Sequence, residues 1–271
     1  MPDDSPSVAW AFHRGTVHAH QTTLQGTPRS PSVPPDATFW HPGRMKEYPS
    51  APRRFLPPPE PVPAALGEAI SQRASCRRFA DVTLPLPRLS TLLQHGYGLG
   101  EPYGLANWTA FNRPVPSGGG CYPLELYLFA RRVDGLEEGT YHYCVQKHAL
   151  ELLGPAPSRI TINELFLGQP WLMAAQAVVV VTGVPARLLH RYGERGYRYL
   201  LLEAGHVGQN LTLVASATGC ASLCLGGFFD DELARVLGLD PRVELPIYAV
   251  AIGVPESADR FEGRGLEALG V

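Results

Sequence analysis

The spacing of apolar residues predicts several helices from about residue 64 onward. Apolar positions recur at helical spacing in Ala64–Ile70 and again in Pro87–Leu93. The longest helical pattern runs from Arg198 to Ala217, and Gly219 follows it as a stop signal. A shorter helix is predicted over Asp230–Leu237. We expect the long helix to form the centre of the domain.

Five other segments have the residue content or the alternation that is typical of strands. They are Leu124–Val133, Gly139–Val145, Val178–Val181, Ser222–Leu225 and Ile247–Ile252. The dipeptide Asp134-Gly135 predicts a hairpin-like connection between the first two. Val178–Val181 is apolar throughout, which indicates a strand buried on both faces. The mixture of helices and strands indicates an α+β fold and not a doubly wound sheet.

The chain divides into a proline-rich start, one main domain and a short tail. Residues 1–63 contain Pro34-Pro35 and Pro57-Pro58-Pro59 and lack sustained apolar periodicity, so we interpret them as an extended arm lying over the domain. The main domain is expected to span residues 64–258, and residues 259–271 form the tail. No repeat of solenoid length and no heptad register is visible in the sequence.

Composition and charge restrict the classes of partner. A chain of 271 residues with 45% hydrophobic content can bury a full core. The net charge of -2 provides no overall field for a polyanion, so nucleic acid and acidic membrane surfaces are not expected partners. The longest apolar run, residues 174–184, is interrupted by Gln176 and Thr182 and is too short for a membrane span. The acidic start lacks a secretory pattern, so we expect a cytoplasmic protein.

The cysteine and histidine patterns do not predict a metal site. The five cysteines are odd in number and lack paired spacing, which favours free and mostly buried thiols. His18 and His20 are close enough to share an ion, and His13 and Arg14 precede them. Because no carboxylate or thiolate accompanies them, an ordinary polar segment is favoured. Cys121 has no partner thiol or histidine nearby, so packing is favoured over redox chemistry.

Two features suggest a site for a phosphorylated planar ligand. Arg73, Ser75 and Arg77 combine guanidinium groups with a hydroxyl, a set that suits a phosphate monoester, although a solvated basic turn is the alternative. In the loop Pro116-Ser117-Gly118-Gly119-Gly120, the missing side chains allow the backbone to approach a flat ring. A plain glycine loop before a strand is the competing interpretation.

Two further features concern backbone amides and proton transfer. Gly226-Gly227 lies between a predicted strand and a predicted helix, where its amides could approach a cofactor closely, although such a pair alone indicates only a turn. Glu203, His206 and Asn210 share one face of the long helix at i, i+3 and i+7. They form either an acid/base set or a structural polar network.

Together and in this order, these segments resemble the nitroreductase superfamily, specifically its SagB-type thiazole/oxazole-forming dehydrogenases. The resemblance covers about Leu66 to Pro255. Its most specific stretches are Arg73–Arg77, Pro116–Tyr127, Tyr197–Asn210 and Leu225–Phe228. In the arm, Phe12–His18 is similar to a His-Arg-x-Thr signature common near the start of such proteins. The dinucleotide fingerprint GxGxxG and the P-loop are absent, which disfavours a Rossmann enzyme or a nucleotidase.

The resemblance implies an FMN-dependent nitroreductase-like α+β fold with a mixed or antiparallel sheet flanked by helices. It also implies an obligate homodimer with each FMN at the subunit interface. Arg73, Ser75 and Arg77 would then hold the phosphate and ribityl chain, Pro116, Ser117 and Gly118 would lie against the isoalloxazine ring, and Gly226 and Gly227 would approach its N5 edge. Arg260 or Arg264 is a further candidate for the phosphate.

The resemblance also implies oxidation of thiazoline or oxazoline rings in a ribosomal peptide to azoles, with a possible cyclodehydratase partner. Similar dehydrogenases carry a Lys-Tyr pair, and Gly196 occupies what we take to be the lysine position. Tyr197 remains as the candidate for proton removal. Two other functions are open: NAD(P)H-dependent reduction of a nitro compound or quinone, and a non-catalytic role in a peptide-modifying complex.

Overall fold

The computed structural model describes residues 8–16, 45–105 and 108–256. In this part of the chain the helices are α1 (Val8–Gly15), α2 (Leu66–Gln72), α3 (Leu86–Tyr97), α4 (Arg159–Leu165), α5 (Ala186–Tyr192), α6 (Arg195–Ala217) and α7 (Asp230–Val236). The strands are β1 (Arg53–Phe55), β2 (Pro102–Leu105), β3 (Trp108–Phe111), β4 (Leu124–Ala130), β5 (Gly139–Cys144), β6 (Ala149–Gly154), β7 (Ala177–Gly183), β8 (Ala221–Leu225) and β9 (Leu245–Gly253). Short 3₁₀ turns lie at Gly118–Gly120, Val145–Lys147 and Pro170–Met173.

One seven-stranded sheet carries the fold, in the order β1-β6-β5-β4-β7-β9-β8. All of its strand pairs are antiparallel. The strands β2 and β3 pair separately. The predicted hairpin connection is confirmed, because Ala130 of β4 pairs with Gly139 of β5 and Gly135 between them has φ 67°. The structure therefore confirms the α+β class with an antiparallel central sheet.

Helices cover both faces of this sheet, which explains the apolar sequence of β7. Val179 and Val181 pack into a cluster with residues of α3 and α6 on one face. Val178 and Val180 pack into a second cluster with residues of α4 and α7 on the other face. All four valines are fully buried, as the continuous apolar run predicts. Helix α6 contacts α2, α3 and α5 as well as β8 and β9, which confirms its central position.

The main departures from the sequence prediction are elements whose pairing is decided at long range. Strand β6, with the sequence Ala-Leu-Glu-Leu-Leu-Gly, is poor in β-branched residues and forms because β5 and β1 pair on its two sides. Strand β1 has only three residues and comes from the proline-rich segment, so that segment contributes an edge strand to the sheet. Helices α4 and α5 were also not predicted. The five predicted strands and the four predicted helices are all present, with shifted ends.

All five cysteines lie in the described residues, and none of them is part of a disulfide, as predicted. Four of them are buried and Cys224 is half-buried. Burial raises the pKa of the Cys121 thiol, which keeps it neutral and agrees with a packing role. In the described ranges, no helix combines the length and the apolar content that a membrane crossing requires.

A glycine on α6 allows this helix to approach the sheet closely. A Cβ atom at Gly208 would lie 2.5 Å from Cε1 of Tyr248 in β9, whereas a Cβ atom at Gly205 would meet no atom within 4 Å. We expect Gly208→Ala to lower the free energy of unfolding by about 1–3 kcal/mol through overpacking. Gly205→Ala should raise it by about 0.5–1 kcal/mol, because alanine favours a helix. Urea unfolding of both variants measures this difference, and equal stability would contradict the close packing.

Candidate functional site

The glycine-rich loop before β4 has a backbone that only glycine adopts easily. Gly119 and Gly120 have φ values of 61° and 66°. A Cβ atom at Gly119 would also lie 2.5 Å from the Tyr192 hydroxyl and 2.8 Å from Nη1 of Arg191. The Ser117 hydroxyl accepts a hydrogen bond of 2.9 Å from the Tyr122 amide. The loop is therefore fixed in shape before any ligand binds.

A buried ion pair supports the same loop from below. The Arg187 guanidinium donates to the Tyr122 carbonyl at 3.1 Å and lies 2.5 Å from the Glu125 carboxylate. Burial alone would raise the pKa of Glu125, but Arg187 and His142 lower it to about 2. His142 in turn lies between Glu125 and Glu151, at 3.2 and 2.9 Å. Glu125 is therefore ionised at neutral pH and holds the arginine that orients the loop.

A cavity of about 270 Å³ lies between the loop and helix α6. It is lined by Pro116, Ser117, Gly118, Tyr199, Leu202, Glu203 and His206. Three residues predicted to contact a ring thus share one cavity with two of the three polar residues predicted on the long helix. The third, Asn210, instead donates to the Pro114 carbonyl at 3.2 Å and has a structural role.

Glu203 is the buried acid of this cavity, with only 2% of its surface exposed. Its Oε1 atom accepts a hydrogen bond of 3.1 Å from the Tyr97 hydroxyl. Its Oε2 atom is buried and accepts no hydrogen bond from the described residues. Burial raises the pKa of Glu203 to about 7, although the hydroxyls of Ser117 and Tyr97 act in the opposite direction. The carboxyl therefore exchanges its proton near neutral pH.

The Arg73–Arg77 segment runs beside strand β8. The Cys76 amide donates to the Ser222 carbonyl at 2.9 Å, and Ala74 and Cys76 are buried. Arg73, Ser75 and Arg77, which alternate with these two residues, are half-buried. Burial raises the pKa of Cys224 whereas the Arg73 charge lowers it, which places Arg73 near the end of β8.

The two arginines of this segment have no acidic partner among the described residues. The Arg77 guanidinium lies 5.6 Å from the centre of the Trp171 ring. In the part of the chain that the structure describes, neither Arg73 nor Arg77 forms an ion pair with a carboxylate. Two guanidinium groups that are half-buried and lack a counter-ion are suited to an anionic ligand.

Gly226 and Gly227 directly follow β8, so they lie at the same end of this strand as Arg73. Gly226 faces Tyr248, whose Cε2 atom would be 3.9 Å from a Cβ atom there. At Gly227 a Cβ atom would lie 2.9 Å from Cδ1 of Leu167, so this position has little room for a side chain. The glycine pair and the arginine segment therefore form one half of the candidate site.

The loop at Pro116–Gly118 forms the other half of the candidate site, apart from the arginine segment and the glycine pair. It precedes Leu124 of β4, which pairs with Gly183 at the end of β7, whereas Leu225 at the end of β8 pairs with Ala249 in the middle of β9. The order β4-β7-β9-β8 puts three strand spacings between β4 and β8, or roughly 14 Å across the sheet, and the offset along the strands adds to this distance. The cavity at the loop is not lined by the arginine segment or the glycine pair.

Tyr197 does not line the loop cavity and lies on the side of α6 that α1 covers, within range of the charge of Asp230, which follows the glycine pair. Its ring makes an edge contact with Phe12, with 5.7 Å between ring centres. Arg195 and Arg198 anchor α1 by donating to the carbonyls of Thr16 and His13, at 2.9 and 3.0 Å. Burial raises the pKa of Tyr197, so the phenol keeps its proton at neutral pH. This environment does not favour the predicted role as a base.

The sequence prediction missed Arg191 and Tyr192, which lie against the glycine loop. Arg191 donates to the Gly119 carbonyl at 3.4 Å, and the Tyr192 ring packs edge-on against Tyr199 of the cavity, with 5.1 Å between ring centres. The sequence shows a basic residue followed by tyrosine but not its distance from the loop, since about 70 residues separate them. His18, His20, Arg260 and Arg264 lie outside the described residues.

One group of potential metal ligands is present in the described ranges, formed by Glu47, Cys144 and Glu151, with their ligand atoms within 4.8 Å of one another. Arg53 bridges Glu47 and Glu151 at 2.9 and 2.8 Å. Its guanidinium supplies the positive charge that these carboxylates require, so the arrangement functions as a salt-bridge cluster.

The sequence is similar to those of several known proteins. The nitroreductase-family protein MJ1384 of Methanocaldococcus jannaschii is 31% identical over 188 residues, which are 69% of this chain and 90% of that protein. The microcin B17-processing protein McbC of Escherichia coli is 30% identical over 151 residues, which are 52% of this chain and 54% of McbC. This chain therefore matches about half the length of McbC.

Solved structures share the fold. A nitroreductase-family protein from Anabaena variabilis has a TM-score of 0.71 at 27% identity, and the match covers 92% of this chain and 46% of that chain. The McbBCD microcin synthetase complex of E. coli, with truncated pro-MccB17 bound, contains a chain with a TM-score of 0.59 at 25% identity, and the match covers 92% of both chains. Two structures with the same fold, at 19% and 14% identity, are complexes with FMN.

The model of the nitroreductase family matches residues 70–254 of this chain. This range contains the arginine segment, the glycine loop, helix α6 and the glycine pair, so it includes both halves of the candidate site. The protein belongs to the nitroreductase family.

Proposed function

We propose that this protein is an FMN-dependent dehydrogenase that oxidises thiazoline or oxazoline rings of a ribosomal peptide to azoles. The observation that carries the flavin part is the position of Arg73 and Arg77, which have no carboxylate partner among the described residues, beside the strand β8 that the glycine pair follows. The peptide part is supported by the similarity to McbC, which is named as a microcin-processing protein. The coarser conclusion, an oxidoreductase of the nitroreductase superfamily, follows from the family match.

The residues present fit FMN. Arg73 and Arg77 would hold the phosphate through charge-assisted hydrogen bonds, and Ser75 would donate to it. Gly226 and Gly227 would allow their amides to approach the N5 edge of the ring. Bound FMN would supply the hydride chemistry, and the protein would orient ring and substrate and keep water away.

The separation of β4 from β8, roughly 14 Å across the sheet, supports a homodimer in which the loop of one copy and the β8 end of the other share one flavin. Helix α6 presents Leu201 and Leu202 to solvent, 37% and 56% exposed, and Leu202 also lines the loop cavity. Apolar side chains exposed beside an incomplete site favour contact with a second copy. Pro116, Ser117 and Gly118 would then lie against the ring.

The proton of the azoline ring requires an acceptor in the site. The sequence-based proposal is Tyr197. The geometry favours Tyr192, because it lies at the glycine loop and follows a basic residue, Arg191, as in the Lys-Tyr pair of similar dehydrogenases.

The phosphate contact can be tested by binding. We expect Arg77→Ala to weaken FMN binding by about 1.5–3 kcal/mol, through the loss of a charge-assisted hydrogen bond. Riboflavin, which has no phosphate, should bind the variant and the original protein equally. Arg78→Ala is the matched control, since Arg78 is the exposed neighbour. Flavin fluorescence titrations measure both affinities, and an unchanged FMN affinity of Arg77→Ala would remove this residue from the site.

The reaction can be tested with a peptide that carries an azoline ring. With oxygen present, the enzyme should form the azole with a mass decrease of about 2 Da, because two hydrogens are removed. Tyr192→Phe should slow this step by about 10²-fold or more without changing FMN affinity. Tyr197→Phe in the same assay tests the sequence-based assignment. A slow Tyr197→Phe variant beside a fully active Tyr192→Phe variant would reverse the assignment.

The second candidate function is reduction of a nitro compound or quinone with NAD(P)H. The similarity to MJ1384 over 69% of the chain favours it, because that relative is named as a nitroreductase. If azoline peptides remain unchanged while NAD(P)H drives rapid reduction of quinones, this function replaces the dehydrogenase. The fold match to the McbBCD complex favours a cyclodehydratase partner, and a stable complex without turnover would indicate a non-catalytic role.

A further inference from the structure

The unpaired carboxylate oxygen of Glu203 distinguishes the loop cavity from an ordinary surface cleft. Oε1 is bound by the Tyr97 hydroxyl, but Oε2 is buried and accepts no hydrogen bond in the described part of the chain. A buried acceptor without a donor costs about 1–3 kcal/mol. Since Glu203 lines the cavity, a ligand there can supply the missing donor.

Among the described residues, Glu203 forms no ion pair with a cationic side chain. Tyr97 of α3 and Ser117 of the loop present hydroxyls to it, and His206 of α6 lines the same cavity. The Arg113 guanidinium instead stacks on the rings of Tyr97 and Tyr122, 4.6 and 4.5 Å from their centres.

The second arginine whose charge acts on Glu203 is also engaged elsewhere. Arg187 of α5 pairs with Glu125 at 2.5 Å. Arg113 and Arg187 therefore act on Glu203 only at a distance. A neutral donor group of a ligand is consequently the partner that this carboxylate lacks.

We propose that Glu203 is a ligand-binding residue that accepts the N–H of a planar heterocycle in the loop cavity and loses its own proton when that ligand binds. The inference rests on the proposed function, in which the heterocycle is the isoalloxazine ring with its imide N–H. A donor to the carboxylate stabilises the charged form and therefore lowers the carboxyl pKa. Tyr97 and Ser117 orient the carboxylate toward the loop.

The direction of the pH dependence follows from this exchange. In the free protein burial holds the pKa of Glu203 at about 7, and ligand binding lowers it. Affinity therefore increases as pH rises through the neutral range and becomes constant where Glu203 is ionised in both states. Each unit by which binding lowers the pKa increases the affinity tenfold across this range.

Flavin titrations of the 271-residue chain, freed of flavin, test this at pH values between about 5.5 and 8.5. Riboflavin affinity of the original protein should rise about tenfold over this range, and that of Glu203→Gln should stay constant. Glu101→Gln, a change of an exposed glutamate outside the cavity, should behave as the original protein does. Because riboflavin has no phosphate, its pH profile contains no contribution from phosphate ionisation. FMN titrations should show the same difference between the variants.

Tyr97→Phe provides a second variant that keeps the carboxylate. Because the Tyr97 hydroxyl lowers the pKa of Glu203, its removal should move the midpoint of the affinity curve to higher pH. Equal pH profiles of Glu203→Gln and the original protein with riboflavin would overturn the inference and leave the proposed function intact. Failure of the original protein to bind either flavin would overturn both.

Unfolding of the flavin-free protein provides a readout that does not depend on the ligand. The folded pKa of about 7 lies above the ordinary value of 4.5, so the native state holds a proton that the unfolded chain has released between these values. The stability that protonated Glu203 contributes is therefore fully present below pH 4.5 and is lost as the pH rises from 4.5 to about 7. The urea midpoint of Glu203→Gln should therefore rise relative to that of the original protein over this range, and parallel curves would contradict a buried titrating carboxyl.

Discussion

The packing of helix α6 across one face of the sheet is the constraint on which the candidate site depends. The helix extends over 23 residues and contacts β8, β9 and β4 as well as α2, α3 and α5. Gly208 lets it approach Tyr248, and Gly183 of β7 makes room for Leu200. The same helix carries the buried Glu203 of the loop cavity and packs against α2, which leads into the arginine segment.

The charged residues at the glycine loop are paired with each other, whereas those beside β8 are not paired with a carboxylate in the described ranges. Below the glycine loop, Glu125 and Arg187 neutralise each other, and their hydrogen bonds define the loop backbone. Beside β8, Arg73 and Arg77 lack a carboxylate partner in the described ranges. A buried pair serves structure because its charges are satisfied, whereas half-buried cations without partners favour an anionic ligand. Glu203 is an intermediate case, since one oxygen is satisfied and the other is not.

The proposed homodimer would account for an apolar helix surface next to an open cavity. The glycine loop and the arginine segment adjoin strands that are roughly 14 Å apart across the sheet, so the fold of one chain keeps them apart. Two copies related by a two-fold axis would bring such loops together while covering Leu201 and Leu202. In this arrangement the binding of cofactor and the association of subunits would stabilise each other.

The sequence by itself determined the elements with strong local signals. The valines of β7, the long periodic pattern of α6 and the Asp134-Gly135 turn were predicted because periodicity and turn chemistry act over short distances. The glycine-rich loop and the arginine segment were recognised for the same reason, since each is contiguous in the chain. The nitroreductase superfamily was also recognisable from the sequence, because the matching stretches are short and occur in a fixed order along the chain.

Only the tertiary structure decided which residues meet. Strand β6 forms through its partners, and Tyr192 reaches the loop although about 70 residues separate them in the chain. The phenol of Tyr197 shares a helix with Glu203, yet it contacts α1 while Glu203 faces the cavity. Burial and the partners of a side chain set its pKa, and both arise from contacts between segments distant in sequence. The position and proton affinity of the site residues therefore follow from packing, which no local pattern encodes.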